Sequence, residues 1–209
     1  MLDKCHAIPS PIPGVELWAV WQAEAERELP SLLALLSEME RQQLLSFYSP
    51  KRYKEYIIGR AYLRLLLAAY LKVPPPAIAI AHTVYGKPYI PQAHLQFNLS
   101  HSQGLVVYGI SWQYLLGVDI EYIYRSCNYR TLSKRYFQGS VANLEEFWQL
   151  WTQKEAIGKA MGVGIWQTVE PSFQTTCQLH SQMIFHSYYL SIAAVDMVRN
   201  CVHQGESET

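Results

Sequence analysis

Leu115-Leu116-Gly117-Val118-Asp119-Ile120-Glu121-Tyr122-Ile123 sets branched or aromatic side chains against small or acidic ones, the pattern of a strand with one face on a core. Residues two apart on a strand share a face, so Asp119 and Glu121 project the same way with Cα atoms roughly 6.5 Å apart. A second β-rich run at 105–111 is separated from this one only by Trp112-Gln113-Tyr114, which predicts two adjacent antiparallel strands and places Asp119 mid-sheet. Further on, Trp151-Thr152-Gln153-Lys154-Glu155-Ala156-Ile157-Gly158-Lys159 reads as a helix. Residues four apart share a helix face, so Trp151, Glu155 and Lys159 form one stripe.

The rest of the chain alternates helical and extended patterns. After the Pro-rich stretch 9–14, Val15-Glu16-Leu17-Trp18-Ala19-Val20-Trp21 predicts a strand. Ser37-Glu38-Met39-Glu40 has capping-box spacing, and a longer helix at about 51–71 ends before Pro74-Pro75-Pro76. That helix carries Arg60 and Arg64 among apolar residues, and a charge buried there needs a partner. Residues 78–82 predict a strand, Tyr85-Gly86-Lys87-Pro88 a turn, and 95–99 another strand followed at once by Ser100-His101-Ser102. Asn143-Leu144-Glu145-Glu146 offers a second capping box, closed at the far end by Gly162 and Gly164. Residues 173–195 are strand-like, and 203–209 read as a frayed tail.

At 209 residues and 50% hydrophobic, the chain can bury a sizeable core. Seventeen basic and 17 acidic residues cancel, so no global field draws it to nucleic acid or an anionic membrane. Cys5, Cys127, Cys177 and Cys201 lack CxxC or zinc-finger spacing, and a reducing cytoplasm fits them. The apolar runs are too short or interrupted to span a bilayer, and the N-terminus has no leader pattern.

Each feature has a plain structural reading. Glu155 and Lys159 have the spacing of a surface helix pair worth about 0.2 to 0.5 kcal/mol. Asp119 and Glu121 fit the solvated face of a strand. His101 fits a turn cap, Lys87 a solvated turn residue, and Arg60 the partner of an internal carboxylate. Taken together, they suit one site. Three hard oxygen donors, Asp119, Glu121 and Glu155, match Mg2+ beside a pyrophosphate, whereas zinc prefers His or Cys. Lys87, His101 and Arg60 then hold anionic oxygens. Glu155 is placed to activate an attacking hydroxyl, and Lys159 to serve the departing phosphate.

Gly86-Lys87-Pro88, Phe97-Asn98-Leu99-Ser100-His101-Ser102, Gly117-Val118-Asp119-Ile120-Glu121 and the run from Trp151 to Lys159 occur in an order that resembles the Sfp-type 4′-phosphopantetheinyl transferases, or holo-carrier-protein synthases. Gly59-Arg60 with Leu63-Arg64 resembles that family's upstream helix. The resemblance implies transfer of 4′-phosphopantetheine from coenzyme A to a serine hydroxyl of an acyl or peptidyl carrier protein, with release of adenosine 3′,5′-bisphosphate. It implies a mixed α/β (α+β) fold of two similar subdomains related by pseudo-twofold symmetry. Their expected spans are residues 1–112, with coenzyme A contacts, and 113–209, with the metal and catalytic residues. A cytoplasmic monomer would then contain both halves, without nucleic-acid or membrane partners.

In the same reading Asp119, Glu121 and Glu155 bind Mg2+, with Mn2+ as an alternative. Glu155, Lys159 and His101 act in catalysis, and Arg60, Lys87, Asn98, Ser100 and His101 hold coenzyme A. One departure affects the 3′-phosphate clamp: the family's several basic residues before the long helix are replaced here by Gln42-Gln43-Leu44-Leu45-Ser46-Phe47-Tyr48 after Arg41. Of Lys51, Arg52 and Lys54, Arg52 is the expected substitute. The segment from Arg125 to Arg135, basic and rich in tyrosine, suits an acidic carrier protein and equally a solvated loop or helix. Two other classes fit the acidic residues: a divalent-metal phosphohydrolase or nuclease, and a non-catalytic carrier-binding protein.

Overall fold

Local chemistry at the helix ends accounts for much of the element order in the computed structural model, which describes residues 1–91, 93–139, 141–162 and 177–197. A short strand β1 (His6–Ile8) precedes β2 (Val15–Trp21), followed by the short helices α1 (Gln22–Ala25) and α2 (Leu29–Leu33). Helix α3 (Glu38–Leu44) begins at a reciprocal capping box in which the Glu40 N–H donates to Ser37 Oγ and the Ser37 N–H donates to Glu40 Oε2. The long helix α4 (Pro50–Leu71) starts at Ser49, whose hydroxyl accepts the Arg52 N–H, with Pro50 in the first turn where no N–H is needed.

The remaining elements are β3 (Ala81–His82), β4 (Pro88–Tyr89), β5 (Gln96–Ser102), β6 (Leu105–Ser111), β7 (Tyr114–Tyr122), α5 (Tyr129–Tyr136), α6 (Leu144–Met161), β8 (Cys177–Ile184) and β9 (Tyr188–Asp196). They form a four-stranded antiparallel sheet, β1-β2-β6-β5, a three-stranded antiparallel sheet, β7-β9-β8, and the β3-β4 ribbon. This is a mixed α/β fold of small antiparallel sheets and helices. One face of the larger sheet packs on α4 through Val20, Phe97, Val106 and Tyr108 against Ile58, Tyr62 and Leu66. Its other face, with Leu17, Ala19, Leu105 and Val107, meets Leu116, Val118, Ile120, Leu190 and Ile192 of the smaller sheet. Alternation then turns residues 117, 119, 121, 191 and 193 toward α6, where Ala193 packs on Ala156 and Ala160.

Four expectations need correction. Strands β6 and β7 do not pair: β6 lies between β2 and β5, while β7 bonds to β9 and forms an edge. Ser111 Oγ donates to the Gly14 carbonyl and accepts the N–H groups of Gln113 and Tyr114, so the chain changes sheet at this point. Gly109 has room for the Leu116 and Val118 side chains only because it lacks a Cβ, which would meet them at 2.8 Å. The two strands therefore meet face to face.

Residues 78–80 are not strand, because the Pro75 and Ile78 carbonyls accept from the buried Arg64 guanidinium. Ser100-His101-Ser102 does not follow β5 but completes it, and Gln103 and Gly104 at positive φ make the turn. Asn143 caps α6 by accepting the Glu146 N–H, but the Glu146 carboxylate takes the Ala142 N–H, so only half of the expected box forms. Residues 173–176, Gly164, Cys201 and the tail 203–209 lie outside the described residues.

Candidate active site

The close approach of α6 to β7 begins at Gly117. A Cβ there would lie 2.0 Å from the Ala156 carbonyl oxygen and 2.4 Å from the Ala160 nitrogen, so only glycine lets helix and strand backbones come together. Thr152 adds a polar tie, its Oγ1 lying 2.7 Å from Ser191 Oγ on β9, opposite Asp119 in the strand register. With the helix held there, Lys159 Nζ donates to Asp119 Oδ1 at 2.7 Å, to Ser100 Oγ at 3.1 Å and to the Val118 carbonyl at 3.2 Å. Lys159 thus takes Asp119 as its carboxylate partner, and Asp119 is buried rather than solvated.

The free edge of β7 is satisfied by side chains. Asn98 Oδ1 accepts the Val118 N–H at 2.9 Å, Ser100 Oγ the Ile120 N–H at 3.3 Å, and Ser102 Oγ the Tyr122 N–H at 3.1 Å. The two serines also donate, Ser100 to Asp119 Oδ1 and Ser102 to Glu121 Oε2, both at 2.9 Å. Arg125, stacked 5.0 Å over Trp148, reaches Glu121 Oε1 at 3.3 Å. Sequence reading missed the roles of Ser102, Gly117 and Thr152. Their signal was the alternate polar residues 98, 100 and 102 and a glycine two positions before an acid.

Glu155 is half-buried on α6. Burial, then the charges of Asp119 and Glu121, push its carboxyl up against the opposing pull of Lys159. Burial likewise raises Glu121, opposed by Arg125 and the Ser102 hydrogen bond and aided by Asp119. The three carboxylates therefore repel one another in a partly desolvated setting.

Beside them lies a cleft of about 510 Å³ whose wall includes Arg52, Arg60, Lys87, Asn98, His101 and Lys159. His101 is exposed and turned away from its buried serine neighbours. Arg60 stacks 5.6 Å over Tyr56. Arg52 is exposed at the start of α4, while Lys51 and Lys54 face Glu55 and Glu26. Ser100 is not on the cleft wall but beneath it, bonded to Lys159 and Asp119. Lys87 Nζ donates to the Ala160 carbonyl at 2.6 Å and to Leu116 at 3.3 Å, and burial pushes its ammonium down to about 8.

Among the described residues, no three acidic, imidazole or thiol side chains are already drawn into a metal-holding group. The chemistry of the set nonetheless fits a hard cation. Asp119 Oδ2 is buried and has no hydrogen-bond partner among the described residues, and the neighbouring donors are carboxylate oxygens whose mutual repulsion a divalent ion would relieve.

Two family models match the chain: the N-terminal 4′-phosphopantetheinyl transferase model over residues 19–112 and the 4′-phosphopantetheinyl transferase superfamily model over 115–202. The 4′-phosphopantetheinyl transferase HetI of Nostoc sp. is 33% identical over 165 residues, covering 72% of this chain and 70% of the relative. AcpT of Escherichia coli O157:H7, a 4′-phosphopantetheinyl transferase, is 36% identical over 57% of this chain and 63% of its own length. The L-aminoadipate-semialdehyde dehydrogenase-phosphopantetheinyl transferase of Schizosaccharomyces pombe is 27% identical over 72% of this chain and 67% of its own. The chain belongs to the 4′-phosphopantetheinyl transferase family and is a transferase.

Proposed function

We propose that the enzyme transfers 4′-phosphopantetheine from coenzyme A to a serine hydroxyl of an apo acyl or peptidyl carrier protein, using Mg2+ or Mn2+ held by Asp119, Glu121 and Glu155. The observation that carries this reading is the buried Asp119 Oδ2, without a partner among the described residues, next to Lys159, a residue that also reaches the wall of a basic cleft. When bound, the cation supplies charge neutralisation at the pyrophosphate.

Arg52, Arg60, His101 and Lys87 bind and orient the anionic coenzyme, with Arg52 taking the 3′-phosphate and Asn98 and Ser100 shaping the floor. Glu155 takes the proton of the carrier serine, and its raised carboxyl pKa is the direction that makes a carboxylate a better base. The serine oxygen bonds to the phosphorus that bears the pantetheine arm. The phosphoanhydride bond breaks, and adenosine 3′,5′-bisphosphate leaves with its new phosphate charge facing Lys159, while His101 steadies the phosphates.

The carrier docks along 125–135, where α5 presents Lys134 and Arg135 in its last turn and Arg130 stacks on Tyr129, a surface suited to an acidic partner. We assign coenzyme contacts to residues 1–112 and catalytic groups to 113–209, in a monomer with internal pseudo-twofold symmetry. Its products are primed carriers for fatty-acid, polyketide or nonribosomal peptide synthesis. The three described cysteines are free thiols, which fits a cytoplasmic setting, and no described helix is long and apolar enough to cross a membrane. Intact-mass analysis of several apo-carriers with coenzyme A and Mg2+ tests the reaction. A carrier heavier by one phosphopantetheine is expected, whereas coenzyme A hydrolysis without an adduct would overturn it in favour of a phosphohydrolase.

A further inference from the structure

We propose that Ser102 is a positioning residue for the divalent-cation site, fixing the Glu121 carboxylate from a strand of the opposite sheet. The inference rests on the metal-dependent reading above and adds a determinant of cation affinity outside the ligand set. Asn98, Ser100 and Ser102 are each 6% exposed and alternate along β5, so all three face β7 and act as a substitute strand for its open edge. Among the described residues, the serines also donate to carboxylates, and Asn98 does not. A hydroxyl has one proton and two acceptor sites. Ser102 accepts the Tyr122 N–H and spends its proton on Glu121 Oε2. Ser100 uses all three capacities, on Asp119 Oδ1, the Ile120 N–H and Lys159.

Glu121's other contact, Arg125, is 41% exposed and 3.3 Å away, a pair that solvent screens. The buried hydroxyl is therefore the stiffer constraint on this carboxylate. Asn98 supplies a built-in comparison, because its Oδ1 supports the same edge without donating to a ligand carboxylate.

The test measures Mn2+ affinity by electron paramagnetic resonance of the free ion, without coenzyme A or carrier, alongside the thermal midpoint. Ser102→Ala is expected to weaken Mn2+ binding by about tenfold or more, the usual effect of losing a hydrogen bond to a metal ligand. Ser102→Thr, which keeps the hydroxyl, should restore most of that affinity. Asn98→Ala should lower the midpoint as Ser102→Ala does while leaving Mn2+ affinity near wild type. Wild-type affinity in Ser102→Ala, or equal weakening in Asn98→Ala, would overturn the proposal. If Ser102→Ala does not fold, Ser102→Cys, with a weak donor of similar shape, reads the same quantity against the same outcomes. A wild-type protein that binds no Mn2+ would instead remove the metal reading itself, an outcome distinct from failure at Ser102.

Discussion

Two ion pairs, each with a buried member, are built to opposite plans. Arg64 on α4 is 2% exposed, pairs with Glu40 of the α3 capping box, and gives its remaining reach to the Pro75 and Ile78 carbonyls. Glu40 Oε2 in turn also accepts the Ser37 N–H. That pair is closed: its groups ligate one another, and it ties α3, α4 and the following proline turn together. Lys159 and Asp119 form an open pair. The lysine side chain is 28% exposed and borders a cleft, while Asp119 keeps one buried oxygen without a partner among the described residues. A buried charge left incomplete costs stability, so the open pair marks the place where a ligand is expected and the closed pair marks scaffold.

Breaking the open pair should have the largest effect, and on turnover rather than folding. Asp119→Ala, which breaks the pair, or Glu155→Gln, which removes a neighbouring proposed ligand charge, is expected to lower kcat by about a thousandfold or more, as loss of a charge-stabilising group at a phosphoryl centre does. The thermal midpoint should stay within a few degrees of wild type, and normal turnover by either purified variant would contradict the assignment. Breaking the closed pair should do the reverse. Glu40→Ala strands Arg64 in the core, at a cost of about 3 kcal/mol or more in urea unfolding, with kcat per folded molecule unchanged. A loss below about 1 kcal/mol would mean that the two carbonyls alone satisfy the guanidinium.

A smaller effect comes from moving the helix that carries half of the open pair. Gly117→Ala forces α6 away from β7, and kcat should fall by up to about a hundredfold, the scale for a displacement near 1 Å at a reacting centre. Unchanged kcat would show that α6 can shift without disturbing Lys159 and Glu155. Lys87 is an intermediate case, a part-buried cation whose ammonium donates to two carbonyls among the described residues. Its folded pKa of about 8 lies below the ordinary 10.5, so the folded protein holds fewer protons than the unfolded chain between these values. Its contribution to stability therefore rises with pH from 8 to 10.5, by at most about 1.4 kcal/mol per unit. Lys87→Met should remove that slope from the urea midpoint, and parallel curves for the two proteins would contradict the assignment.

Features set by neighbouring residues were legible in the sequence. Ser37, Asn143 and Gly162 bound helices through side-chain or αL chemistry confined to one turn, and β2 covers the run 15–21 that its composition predicts as a strand. Features set by distant partners were not. Residues 105–111 and 115–123 carry the same β pattern whether they pair edge to edge or pack face to face, and the choice depends on Gly109 and Ser111 meeting residues elsewhere. The need of Arg64 for a partner could be read, but Glu40 lies 24 residues away. At the candidate site, the spacing of Asp119, Glu121, Glu155 and Lys159 was readable as periodicity. That Lys159 would turn to Asp119 depends on how α6 rotates against the sheet, which Gly117 and Thr152 determine. The serine ladder was hidden because a strand satisfied by side chains looks, in sequence, like any other.

The most direct measurement is anomalous diffraction at the manganese edge from crystals grown with Mn2+ and coenzyme A. The expected result is one strong peak in contact with carboxylate oxygens of Asp119, Glu121 and Glu155, beside coenzyme density in the cleft lined by Arg60 and His101. Coenzyme bound there with no such peak, or a peak held by other residues, would contradict the open pair as the cation site.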